Sequence, residues 1–537
     1  MEQQTETMQN RNYENREIPP PGGPAAPKVR QFTTLESVFA WLCLLAGYVF
    51  CRVGSVTRHP FGGFLFVLVL FAVSAVILKL KGIRFTVLPV LTAVSAVIVS
   101  AALFICGNSA IHFWAYVFAL VMYIVFVFTS TGNTAEKGFS DLWAADFFKA
   151  AFIMPFFSFA HIFSALFSGR AKKGGTFLLK LLLGIVFTII PTIAVLVLLS
   201  YDASFTALLK NIFSFTLWDI LSHIGSMFLG VPIAMYLFGL FISCCDKKCS
   251  AIMTADQCRS ASRSIKIAPG VTVAAAVLPL LGIYLLFFIS QWQYYMSGFS
   301  GVLPENFNYA EYARDGFFQL CTVSVINFAV IACISLFMSR ERKKSVILLR
   351  TLSVVLAVFT LVLISTAAAK MIMYINCYGL TPKRVYASWL MGVLAILFIL
   401  IIVKQFVTRL KLLSASLCVC VICFAGLALS GTDALIAKYN VDRYLEETLE
   451  TIDIAAMESL GDSAVPHMVR LAEALDEKNG TDISKFTPEK NTYDALYSDL
   501  AVRLYKAAGK QKEDIFSLTL PRLKAAAALE KAGITAR

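Results

Sequence analysis

Charge is what this sequence has least of. Asp, Glu, Lys and Arg make up 15% of the 537 residues, against 58% hydrophobic residues, whereas a soluble chain carries roughly a quarter charged. Histidine is scarce too. His112, His161 and His223 are scattered and His467 opens a polar helix, so no acid–base set can be assembled around them. Cysteine occurs 13 times but never after Cys423, so an exported C-terminal region needs no disulfides. The single cluster, Cys244, Cys245, Cys249 and Cys258, lacks C-x-x-C pairs and neighbouring histidines. It reads as thiols at a helix end; no metal and no cofactor is implied. The first residues contain no apolar h-region, which excludes a cleavable signal. Instead, residues 1–33 form a tail whose Pro19–Pro27 stretch suits neither helix nor sheet and reads as a disordered tether.

Apolar runs of 18 residues or more are abundant, each long enough to cross a hydrocarbon core of about 30 Å. They predict spans at 34–51, 61–80, 85–106, 110–129, 178–200, 222–244, 271–290, 317–338, 349–369, 386–403 and 412–430, eleven in all. The segment 141–168 carries Asp141, Asp146, Lys149 and Pro155 among many phenylalanines, and is expected to be an interfacial or re-entrant helix. With the N-terminus inside, the cytoplasmic segments hold 26 Lys and Arg and the outer loops 7. A twelfth span at 141–168 would put Lys79, Lys81 and Arg84 outside, so the asymmetry favours eleven spans and an outer C-terminus. The net charge of +13 follows from this positive-inside distribution; nucleic acid is not implied. Trp114, Trp218, Trp292 and Trp389 fall near span ends, as an aromatic belt requires.

Residues 431–537 change character, with 14 Lys and Arg against 18 Asp and Glu. The expected architecture is therefore an all-α polytopic transmembrane helical bundle of 34–430, followed by a small soluble, acidic helical domain. Thr487-Pro488-Glu489 predicts a helix start and Gly509 a stop, while Arg522–Ala532 predicts a helix ended by Gly533. Val465-Pro466-His467 opens a further helix of the kind found in paired helical repeats.

Three polar stretches are predicted to share the outer face. The first, Tyr309–Leu320, holds Glu311, Arg314 and Asp315 at a helix start, where the macrodipole favours acidic residues. In the second, Tyr374–Tyr386, Gly379 ends one helix and Thr381-Pro382 begins another. Lys383 and Arg384 then stand in a first turn, where cations oppose the dipole by roughly 0.3–1 kcal/mol each. Their expected compensation is Glu311 and Asp315, the acidic domain, or an anionic ligand such as a lipid phosphate. The third, Asp433–Leu445, includes Asp442 and Arg443 and spaces Leu435, Tyr439, Asp442 and Leu445 so as to pack back onto the membrane face.

Taken with Leu460-Gly461-Asp462-Ser463-Ala464-Val465-Pro466, these stretches resemble a family of bacterial polytopic membrane proteins, domain of unknown function 4173, with 4153 as its close relative. The likeness covers about residues 150–475. It implies a multi-pass bacterial plasma-membrane protein and carries over no activity. The leading expectation is a non-enzymatic sensor, scaffold or envelope component, embedded in the lipid bilayer and binding an envelope protein or anionic lipid at its outer face. A transporter is the alternative, with Asn327 and the span prolines Pro191, Pro232 and Pro279 as its candidate positions. An enzyme acting on a lipid-linked phosphate through Glu311, Asp315 and Arg384 ranks third.

Overall fold

The computed structural model describes residues 30–53, 59–136, 138, 140–166, 217–247, 251–290, 309–338, 343–486, 494–509 and 515–535, with isolated positions between 191 and 199. The side chains of 217–220, 290, 309–321 and 343 lie outside that description, as do nearly all of the tail 1–33 and the expected span 178–200.

Long helices dominate, because lipid offers backbone amides no partner except their own turn. They are α1 (Thr34–Val53), α2 (Pro60–Leu80), α3 (Val87–Ser100, continued after a break at Ala101 by Ala102–Ile105), α4 (Ser109–Ser130), α5 (Leu217–Asp246), the amphipathic α6 (Ala255–Ile265), α7 (Gly270–Ser290), α8 (Tyr309–Phe337), α9 (Lys343–Tyr378), α10 (Pro382–Phe406) and α11 (Leu412–Leu429). Among the described residues, nine of these are long and apolar enough to cross a membrane. Every expected span within the described residues falls on one of them or on α8, whose described apolar part is Thr322–Phe337. The protein is a multi-pass membrane protein. Several helices outrun their predicted ends; α9 occupies 36 residues.

The polar contacts sort the helix ends onto two faces. On the first, Lys81 at the end of α2 reaches Glu36 at the start of α1 (2.6 Å), and Arg30 binds both Glu36 and Asp246 at the end of α5. The Asn133 amide donates to the Cys244 carbonyl (2.8 Å), and the Ser414 hydroxyl to the Ser140 carbonyl (3.0 Å). On the second face, Arg52 meets Ser222 (2.7 Å) and Tyr48 meets His223 (2.6 Å). Helices α1, α3, α7, α9 and α11 therefore run from the first face to the second, and α2, α4, α5, α8 and α10 run back. The three polar stretches all lie at second-face helix ends.

Between helices in lipid, attraction comes from close contact rather than from the hydrophobic effect, so small residues mark the tightest crossings. A Cβ on Gly47 of α1 would stand 2.1 Å from the Gly230 carbonyl oxygen of α5. Residues 143–166 are broken into Trp143–Phe148, a π-helical turn Lys149–Ile153, Met154–Phe157 and His161–Leu166. None of these pieces is long enough to span. They press on α5 closely enough that a Cβ on Gly239 would stand 2.2 Å from the Pro155 carbonyl. Asn327, the amide expected as a transport determinant, is fully buried and satisfied. It accepts from the Tyr284 hydroxyl and donates to Thr360 (both 2.8 Å), tying α7, α8 and α9 together.

Past α11 the chain makes a second core from α12 (Thr432–Leu445), α13 (Val465–Asn479), α14 (Ala495–Gly509) and α15 (Leu520–Lys531). Helix α13 is central. Val465, Met468, Val469 and Ala472 line its buried stripe at helical spacing, against Leu500 and Leu504 of α14 and Leu529 of α15. Each large apolar side chain so buried contributes roughly 1.5–3 kcal/mol. Gly533 (φ +69°) ends α15, where the Ile534 amide returns to the Leu529 carbonyl. The predicted start at Thr487-Pro488 lies outside the described residues. This unit sits on the second face: Phe516 leans on Gly62 at the head of α2, and Ser463 and Pro521 close on Gly107 at the end of α3.

Candidate functional site

Arg384 stands in the first turn of α10, where a cation is electrostatically misplaced. Its guanidinium donates to the carbonyls of Tyr378 (2.9 Å) and Gly379 (2.5 Å) and lies 3.9 Å over the Tyr374 ring. Those carbonyls end α9, the negative pole of that helix. The compensation expected from acidic side chains or a bound anion is thus supplied by the preceding helix. Arg443 is engaged at the same place. It donates to the carbonyls of Asn376 (2.9 Å) and Thr448 (2.7 Å) and to the Thr448 hydroxyl (3.1 Å). Lys383 is exposed beside Arg384. Asp442 faces away from this group, toward Arg470 of α13 (2.6 Å); both partners keep contact with solvent, and such pairs contribute about 1 kcal/mol at most. Glu311, Arg314 and Asp315 stand on the first turns of α8, with side chains outside the description.

What joins the second and third stretches is an amide. Asn440 of α12 accepts from the Leu380 amide (2.7 Å) and donates to the Leu380 carbonyl (2.8 Å), so one side chain pairs with both backbone groups of the α9–α10 turn. Gly379 makes this possible twice over. Its φ of +72° is strained for any residue with a Cβ, and a Cβ there would stand 2.5 Å from the Asn440 oxygen.

Where the helical unit meets the bundle, the structure encloses a cavity of about 450 Å³. Its walls come from the α3–α4 turn, the α11–α12 turn, the start of α13 and the start of α15. Asn108 organises the floor. Its side-chain oxygen caps α4, accepting from the amides of Ala110 (2.9 Å) and Ile111 (3.2 Å), while its NH2 donates to the Asp433 carboxylate (3.1 Å). Asp433 is 4% exposed, and burial raises its proton affinity above the ordinary carboxylate range, the Asn108 hydrogen bond opposing this. Beside it the Thr432 hydroxyl is buried without a partner. Cys106 donates to the Ala428 carbonyl (2.8 Å), and burial pushes its thiol up to about 11, so it is no thiolate nucleophile at neutral pH.

The opposite wall gathers three bases and an acid. Lys438 of α12, His467 of α13 and Lys524 of α15 converge there from three helices, with Asp462 just before α13. Burial lowers the His467 proton affinity, and the cations of Arg470, Lys438 and Lys524 lower it further, against a raising effect of Asp442. Among the described residues singled out from sequence, Lys383, Arg384, Asp442 and Arg443 are all absent from this cavity's lining. Its own polar residues carry little sequence signal: an aspartate four positions past the last residue of α11, and an asparagine at the cap of α4.

No curated protein and no solved structure matches the chain. One family model does, described as domain of unknown function (DUF4153), over residues 93–471. The match runs from within α3 to within α13 and takes in Asn108, Asp433, Lys438 and His467, but not Lys524. It falls on the family expected as the relative of 4173 rather than on 4173 itself. As it spans more than half of the sequence, the chain belongs to the DUF4153 family.

Proposed function

We propose that this is a non-enzymatic bacterial plasma-membrane protein, a sensor or scaffold of the envelope, whose C-terminal helical unit faces outward and binds an envelope ligand or partner. The observation that carries the reading is how that unit is held. It is fixed to the bundle by Asn440 at the α9–α10 turn, by Arg443 at the end of α9 and by Asp433 at the head of α4. A binding event on the unit is thereby transmitted to the ends of three spans, which a domain on a free tether could not do. Orientation rests on the excess of Lys and Arg in first-face segments, which makes that face cytoplasmic. The chain also stands on the first face at His161, whose ring meets Phe32 (6.1 Å), and on the second at Ser222. That change of side agrees with the span expected from sequence at 178–200 and with a tail inside and a helical unit outside.

The test is a pair of fusions to alkaline phosphatase, which is active only outside the cytoplasm, placed after Ser339 and after Arg537. Activity after Arg537 alone supports the reading. Activity after Ser339, or its absence after Arg537, overturns the outward placement and with it the envelope ligand.

A further inference from the structure

We infer that the junction cavity is a binding site for the phosphate headgroup of an anionic lipid, held between Lys438, His467 and Lys524 with its chains leaving past the apolar lip into the bilayer. The inference rests on the envelope-facing reading above for its biology, but not for its chemistry.

Four observations point the same way. First, the cavity is bipolar. Ile105, Leu429 and Leu435 line its membrane side, at the ends of α3 and α11 and the start of α12; Leu435 is a large apolar side chain left 53% exposed there. Lys438 stands about one turn past Leu435 on α12, and Lys524 four residues into α15. An amphiphile has that shape: an apolar part at span-end level and an anion just beyond it.

Second, the cations have no competing anchor. No carboxylate lies within ion-pair distance of Lys438 or Lys524 among the described residues, whereas Arg30, Lys81, Arg259, Arg470 and Arg503 all have one. The two exposed lysines face one hollow that Asp433 and Asp462 also line, and a phosphate between the lysines offsets their mutual repulsion.

Third, Thr432, 5% exposed, lines the cavity, and its hydroxyl is buried next to it without a protein partner. Such a group calls for a hydrogen bond, which a small turn of the side chain toward an occupant would supply.

Fourth, the titratable groups favour an anion increasingly in acid. His467, surrounded by Arg470, Lys438, Lys524 and Asp442, becomes a second N–H donor when protonated. Asp433, held by Asn108, loses its repelling charge when protonated.

The test uses the full-length protein in non-ionic detergent, titrated separately with phosphatidylglycerol, with phosphatidylcholine of the same chains and with inorganic phosphate, bound ligand being counted by native mass spectrometry. One phosphatidylglycerol should bind at least about tenfold more tightly than phosphatidylcholine. Lys438→Glu with Lys524→Glu should weaken it by about tenfold or more, since removing even one charge-assisted hydrogen bond has an effect of that order. Both lysines are exposed, so the variant folds, and its unchanged elution and melting verify this. Inorganic phosphate binding as well as the lipid, with the same weakening in the variant, would keep an anion site and overturn the lipid as its source. Equal binding of the two lipids, unaffected by the variant, overturns the site. Detergent exposes both faces, so a failed topology test leaves this result unaltered, and the two failures can be told apart.

Discussion

Asn440 and Gly379 offer the sharpest check on how the helical unit is held. Replacing Asn440 by Ala removes two hydrogen bonds to Leu380. Each contributes about 1 kcal/mol net, and a half-buried amide and carbonyl left without partners add to the loss, so docking should weaken by about 2–3 kcal/mol. Replacing Gly379 by Ala costs about 1–2 kcal/mol for a Cβ in the left-handed region. It also drives that Cβ to 2.5 Å from the Asn440 oxygen and 3.2 Å from its Cγ, which dislodges the same amide. The two effects share a cause. Once Asn440 is Ala the space is open, and Gly379→Ala should then cost only the backbone strain. The double variant should be less damaged than the sum of the singles by about 2 kcal/mol. Limited proteolysis of the unit after α12 measures this, because cleavage tracks the population of the undocked form when closing is fast. A coupling of about 2 kcal/mol appears as a nearly thirtyfold shortfall in cleavage rate relative to independent effects. If Gly379→Ala accelerates cleavage equally in both backgrounds, the clamp is not what joins α12 to the α9–α10 turn.

Three further outcomes follow from single contacts. Gly230→Val should prevent accumulation of folded protein in fluorescence-detected gel filtration, since a Cβ at Gly230 already falls 2.7 Å from the Gly47 backbone and overpacking against backbone costs about 3 kcal/mol or more; Gly426→Val, with nothing within 4 Å, should be tolerated. Glu36→Gln should lower thermal stability by about 1–3 kcal/mol, because Lys81 and Arg30 lose the carboxylate they share at a site only 6% exposed, and adding Lys81→Met should recover part of that stability. The pH dependence of proteolysis should have two limbs. The docking contribution of His467, whose folded proton affinity is lowered from 6.5, is full above 6.5 and lost as pH falls through the folded value. That of Asp433, raised from 3.8, is full below 3.8 and lost as pH rises through its folded value. His467→Gln should flatten the first limb and Asp433→Asn the second.

The spans were legible because lipid imposes one rule along the whole length of a helix, and α1, α2 or α11 satisfies it residue by residue. Which helix ends carry the three polar stretches was legible for a related reason, since each stretch opens or closes an apolar run. The partners of Arg384 were not legible. A guanidinium that returns to carbonyls five and six positions back depends on Gly379 adopting φ +72°, and sequence shows the glycine but not where it aims the next turn. The cavity was less legible still. Its polar residues come from 106–108, 430–438, 462–467 and 524, and no local spacing rule connects chain segments up to about four hundred positions apart.

The same geometry sets a last prediction, on whether the clamp and the cavity act together. Asp433 bonds Asn108 at the cap of α4, so undocking the helical unit opens the cavity, and a ligand seated in it must oppose undocking. At a hundred times its dissociation constant, a ligand specific to the docked form stabilises it by about 2.7 kcal/mol. That equals the loss expected from Asn440→Ala, which makes the two interchangeable. Saturating phosphatidylglycerol should therefore slow proteolysis of the Asn440→Ala protein back to nearly the wild-type rate, roughly a hundredfold protection. It should do nothing when Lys438→Glu and Lys524→Glu are added. Protection that survives those substitutions would place the lipid elsewhere on the bundle, and absence of protection in Asn440→Ala would mean that the cavity does not close over its ligand.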